Sequence, residues 1–173
     1  MIKSLKQIQQ EILNFSPHPE KVKLLAVSKK QSLDKIKNLF HQGQKSFGEN
    51  YVQEALEKIN LLALPEIDWH FIGHLQTNKV KEVVGKFSLI HSVNSLKLAQ
   101  HISKRAKNLN IKQSLLIEIN IGNESSKTGF LKSDLKNYWN ELKNLENICI
   151  RGLMCLPPEN VSESQTEFFS KKC

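Results

Sequence analysis

Val22-Lys23-Leu24-Leu25-Ala26-Val27-Ser28-Lys29-Lys30-Gln31 is an apolar run of strand length that ends on two lysines and contains no glycine. A dinucleotide-binding open sheet carries a G-x-G-x-x-G turn directly after its first strand, so this exit excludes that site. Instead the strand delivers an amine at its C-terminal end. A lysine attacks an aldehyde only as the neutral amine, which lies far from its ordinary pKa of about 10.4 unless desolvation or neighbouring positive charge shifts it. Alternation puts Lys29 on the face of Leu25 and Val27, and Lys30 on that of Leu24, Ala26 and Ser28. Either face can point inward, and on spacing alone both lysines also read as solvated loop residues.

Outward from this strand the chain repeats one pattern of apolar strand, polar turn and helix. The strands read as 22–28, 46–48, 68–73, 87–93, 114–120 and 149–154, and the helical patterns lie near 33–42, 51–62, 76–85, 95–107 and 132–144. Ahead of them, Ile2, Leu5, Ile8, Ile12 and Phe15 form an amphipathic stripe that Pro17 and Pro19 terminate. Strands alternating with helices imply parallel pairing, because a parallel crossover is long and usually helical. An open doubly wound sheet and a closed (β/α) barrel both satisfy the pattern. A barrel places its chemistry at strand exits, and the exits here are polar: Ser28-Lys29, Gly48-Glu49-Asn50, Gly73-His74, Val93-Asn94, Asn120 and Met154-Cys155. Six strands are legible where such a barrel has eight.

Composition narrows the functions. The 173 residues fit one domain, residues 1–173, and with 39% apolar and 24% charged residues the chain reads as an ordinary globular protein. No apolar run approaches the ~18 residues of a membrane span. The N-terminal stripe is interrupted by Lys3, Lys6, Gln9, Gln10 and Glu11, unlike a signal peptide. A cytoplasmic monomer is the expectation. The net charge of +8 comes almost wholly from scattered lysines, with Arg105 and Arg151 the two arginines, so specific nucleic-acid binding is not expected. Cys149 and Cys155 lie on one extended strand, about 20 Å apart at ~3.3 Å per residue, too far for the ~7 Å Cα separation of a disulfide. Both read as buried thiols.

Five strings carry a resemblance: Leu-Leu-Ala-Val-Ser-Lys (24–29), Phe-Gly-Glu-Asn-Tyr-Val-Gln-Glu (47–54), Trp-His-Phe-Ile-Gly-His-Leu-Gln-Thr-Asn-Lys (69–79), Ile-Asn-Ile-Gly-Asn-Glu-Ser-Ser-Lys-Thr-Gly (119–129) and Arg-Gly-Leu-Met (151–154). In this order they resemble the pyridoxal phosphate homeostasis family, single-domain relatives of the alanine racemase barrel. The resemblance implies a (β/α) TIM-type barrel of the alanine racemase N-terminal-domain type, with six of its eight strands in this chain. It implies pyridoxal 5′-phosphate (PLP) held as a Schiff base on Lys29, and a carrier or regulator of the cofactor without turnover and with no catalytic residue. Asn50, His70 and Met154 match strand ends that border the cofactor in the family. Asn50 also reads as an ordinary helix start. His74 stands where the family has proline.

The remaining signals are weaker. His70 and His74 have i, i+4 spacing, but on a strand their rings do not share a helical face, and no zinc site is expected. The segment 122–129 fails the phosphate-loop pattern, because Lys127 stands where glycine is required. Lys127 reads as a solvated loop lysine, and Arg151 as a residue that pairs within the barrel. In the family the cofactor phosphate is cradled by Ser-Met-Gly-Met-Ser-like and Arg-Ile-Gly-like turns, and neither string occurs here. The chain is therefore expected to be a C-terminally incomplete barrel with unpaired first and sixth strand edges. An amino-acid racemase of the same superfamily and a non-functional fragment are the competing readings.

Overall fold

In the computed structural model, residues 3–124 and 127–157 are described. The chain divides into two compact units at the Trp69–His70 junction. Strand order follows the sequence, β1-β2-β3-β4-β5-β6.

In the first unit, α1 (Leu5–Phe15) opens on a capping box in which Ser4 and Gln7 satisfy each other's backbone N–H. Of the expected stripe, Leu5 is buried and Ile8 and Ile12 are half-buried, while Phe15 is 83% exposed. Strand β1 is shorter than the apolar run suggests, Ala26–Val27 in place of 22–28. The Gln44 side-chain amide donates to Leu24 O (2.8 Å) and Ser46 O (2.6 Å), taking a carbonyl that a longer ladder would use. After α2 (Leu33–His41), capped by Ser32, the chain turns at Gly43 (φ +98°) into β2 (Ser46–Glu49), buried throughout. Strand β2 pairs in parallel with β1, Ala26 opposite Phe47. Helix α3 (Val52–Leu62) buries Ala55, Lys58 and Leu62, and Asp68 N–H then donates to Lys45 O (2.8 Å) as β3 (Asp68–Phe71) begins.

The second unit takes up β3 at His70 and pairs it in parallel with β4 (Leu89–Val93). The helix expected over 76–85 is a 3₁₀ turn, Thr77–Lys79, followed by the single turn α4 (Val80–Val83). Gly85 (φ +84°) stops it, and a Cβ there would lie 3.2 Å from the Leu109 and Ile111 side chains. Helix α5 (Leu96–Asn108) is capped by Ser95 and buries Leu98, Ala99, Ile102 and Ala106, the i, i+4, i+8 face its sequence spacing dictates. Strands β5 (Gln113–Ile119) and β6 (Ile148–Cys155), joined through α6 (Lys132–Lys143), complete the parallel order. Gly129 (φ +119°) crosses so close to β5 that a Cβ would sit 2.7 Å from Asn120 N, and this lets Phe130 exchange backbone bonds with Glu118 and Asn120. Cys149 and Cys155 are free and share β6 as expected, but both are half-buried, not buried. Strand β6 is last in the order, so no strand covers its outer edge among the described residues. None of the described helices is long and apolar enough to cross a membrane.

Candidate functional site

The strand-exit turn after β1 is held by side-chain hydrogen bonds from β2 and α3. Ser28 is buried, and its hydroxyl donates to Glu49 Oε1 (2.6 Å) at the end of β2. The same Glu49 oxygen accepts from Lys58 Nζ (2.8 Å), which also donates to Ser28 O (2.7 Å) and Glu54 Oε1 (2.6 Å). All three ammonium protons therefore have acceptors. Glu54 Oε1 also accepts the Lys30 backbone N–H (2.6 Å), and Lys30 sits in the left-handed region at φ +59°. Holding a side chain with a Cβ there costs roughly 1–2 kcal/mol, which this network offsets. Burial pushes the Glu54 carboxyl up, but its bonds to Lys58 and to Lys30 N–H outweigh this and hold it below the ordinary range.

Between these two anchored residues stands Lys29, exposed and with no acidic partner among the described residues. Lys29 and Lys30 lie in the turn beyond β1, where strand alternation no longer assigns them a face. Val27 is 51% exposed while Ser28 turns into the layer occupied by α3, so the face of Val27 is the one α3 leaves open. Asn50, at the exit of β2, is half-buried, and its Oδ1 is buried without a hydrogen-bond partner. It precedes α3 without capping it, because Tyr51 occupies the cap position.

In the second unit, His70 on β3 is 6% exposed, and its Nδ1 lies 2.9 Å from Nε2 of His91 on β4. One of these nitrogens must donate while the other keeps its lone pair. Burial, and secondarily the neighbouring His70, lower the His91 pKa to about 4. The folded chain thus binds a proton at His91 later than the unfolded chain does. Stability therefore falls as pH drops from about 6.5 towards 4, by less than the full pKa difference implies because water screens the half-buried ring. Replacing His91 by glutamine should flatten that limb of a urea-denaturation series, and an unchanged slope would remove the assignment.

His74 lies within 3.4 Å of Asn94, and together with Glu118, Asn120, Lys127 and Thr128 it lines a cavity of about 260 Å³ at the exit of β5. Lys127 is not the solvated loop lysine its sequence context suggests: it pairs with Glu124 (2.8 Å) and donates to Pro157 O (3.0 Å). Met154 is half-buried on β6, in register with Glu118. Arg151 donates to Ser114 Oγ (3.4 Å), a pairing within the sheet as its reading anticipated.

Of the proposed residues, Lys29 and Asn50 lie at neighbouring strand exits of the first unit, and His70 and Met154 belong to the second. Sequence reasoning missed Glu49, Glu54, Lys58 and His91. The signal for one of them was present: Lys58 stands between Ala55 and Leu62 on the buried stripe of α3, four residues after Glu54.

The family model of the alanine racemase N-terminal domain matches residues 4–171. A pyridoxal phosphate homeostasis protein of Aquifex aeolicus is 45% identical over 136 residues, which cover 79% of this chain and 60% of that protein. Its namesake in Pasteurella multocida is 38% identical over 97% of this chain and 75% of its own length. The PipY protein of Synechococcus elongatus, solved with PLP bound, superposes with a TM-score of 0.83 at 32% identity, covering 96% of this chain and 81% of that one. With the strand exits, the parallel alternation and these matches in agreement, the chain belongs to the pyridoxal phosphate homeostasis protein family, built on the alanine racemase N-terminal domain.

Proposed function

We propose that this chain binds PLP through Lys29 and serves intracellular PLP homeostasis as a cytoplasmic, monomeric, single-domain barrel without turnover of its own. The observation that carries the reading is the pinned β1 exit, where an exposed amine with no acidic partner among the described residues is flanked by a buried Ser28 and a backbone-anchored Lys30. The strand-exit residues of the first unit fit the aldehyde end of the cofactor: Lys29 would supply the amine, and Asn50 Oδ1, at the next strand exit, is buried without a partner among the described residues. His70 and Met154, in the second unit, are further candidates that the resemblance alone carries. When bound, the cofactor contributes an aldehyde carbon that takes up a lysine amine with loss of one water.

The protein's own share is positional. Lys58 holds the Ser28 carbonyl, Glu49 its hydroxyl, and Glu54 the Lys30 main chain, so the residue between them is presented with little freedom to lose on attachment. Of His70 and His91, only one can donate across the 2.9 Å contact, which orients the His70 ring on its strand. A role without turnover is supported by the names of the Aquifex and Pasteurella relatives.

Titrating the protein with PLP should produce a visible absorbance band that saturates at one equivalent. Enantiomer exchange of alanine by the loaded protein should stay at the level of free PLP. General acid–base groups contribute roughly 10²–10⁴-fold each, so real racemisation would be conspicuous. Exchange that is abolished by Lys29→Ala would make the racemase reading the correct one, and absence of any saturable band would remove the binding reading altogether.

A further inference from the structure

We propose a second ligand site, independent of the PLP reading, on the helical side of the second unit, where a cavity of about 210 Å³ binds the phosphate group of a small phosphorylated molecule. His101, Lys104, Arg105 and Asn108 line it from one face of α5 at i, i+3, i+4 and i+7, and Lys81 of α4 and Thr77 of the 3₁₀ turn close it. Three cationic residues thus line one hollow, and no acidic residue is among its lining in the described residues. The nearest carboxylate in sequence, Glu82, is taken up by Lys79 at 2.8 Å.

Arg105 marks the hollow as a site. Its guanidinium reaches the Lys81 carbonyl only weakly (3.4 Å), and its Nε–H is buried with no acceptor among the described residues. Buried donors are almost always satisfied, and an anion entering the hollow is the acceptor the proposal assigns to this one. A cation in the last turn of α5 complements the helix dipole, which accounts for the charge of Arg105 but not for the convergence of Lys81 from another element. His101 lines the hollow with its Nδ1 tied to Lys97 O (2.8 Å), which leaves the donors to a phosphate to Lys81, Lys104 and Arg105. The rest of the lining adds Thr77 and Asn108, neutral groups able to hydrogen-bond phosphate oxygens. A hollow of this size takes a phosphate and a small appended group, whereas a nucleic-acid backbone would require an extended basic track.

The probe is inorganic phosphate, titrated into ¹⁵N-labelled protein. Saturable amide shifts are expected at residues 77–81 and 101–108. Arg105→Gln and Lys81→Gln should each weaken the binding roughly tenfold or more, the effect of losing one charge-assisted hydrogen bond. Lys29→Ala and Lys112→Gln should leave it unchanged, so failure of this site is separable from failure of the PLP site. Shifts that never saturate, or that spread equally over all lysines, overturn the proposal, as does saturable binding that Arg105→Gln does not weaken. Binding of a short single-stranded RNA at these residues without any phosphate response would overturn it in favour of a nucleic-acid contact.

Discussion

Replacing Lys58 by methionine lowers the unfolding free energy by about 3–5 kcal/mol, the usual cost of leaving a buried charge without its partner. Glu49 is the charge in question. Its side chain is 0% exposed and that of Lys58 8%, so water cannot replace the lost ammonium. At ~2–4 °C per kcal/mol for a chain of this size, the melting temperature should drop by about 6–20 °C. Adding Glu49→Leu to Lys58→Met should recover most of the loss, because an apolar pair of similar volume commonly matches a buried ion pair. The single variant should also weaken PLP attachment, since Ser28 O loses its donor and the turn ahead of Lys29 loosens. A loss below about 1 kcal/mol in urea unfolding would mean that the cluster is not the anchor of the β1 exit.

Lys29→Ala should abolish the visible band of the PLP-loaded protein while leaving its stability within about 0.5 kcal/mol of the parent, as expected for an exposed side chain with no structural partner. Lys30→Ala is the internal comparison. What the fold needs from Lys30 is its backbone N–H on Glu54, which alanine keeps, so the band should survive. Loss of the band in both variants, with both folded, would show that the turn as a whole and not the Lys29 amine is required.

How much of this was legible in the sequence follows from the kind of signal each feature leaves. The alternation of strands and helices is written in apolar periodicity, and the six strands lie where that periodicity puts them, from Ala26–Val27 to Ile148–Cys155. The first strand and the helix over 76–85 fall furthest short of their patterns, and β3 and β4 are each two residues shorter than read. At Leu24 a glutamine amide takes the place of a strand partner, and at Gly85 a positive φ cuts the helix to one turn, both through contacts distant in sequence. Lys29 was legible only through its position at a strand exit and through resemblance, since spacing alone could not separate it from Lys30. The surrounding cluster was not legible, because a charged residue on a buried helix face looks like a surface residue until its partners, here Glu49 nine residues before and Ser28 thirty before, are brought together. The His70–His91 pair has the same origin, joining two strands across 21 positions.

The central claim is that one amine, at one strand exit, carries the cofactor. Borohydride reduction of the PLP-loaded protein followed by peptide mapping tests it most directly: the account predicts the pyridoxyl group on Lys29, and its appearance on Lys30, or spread over many of the lysines, would contradict it.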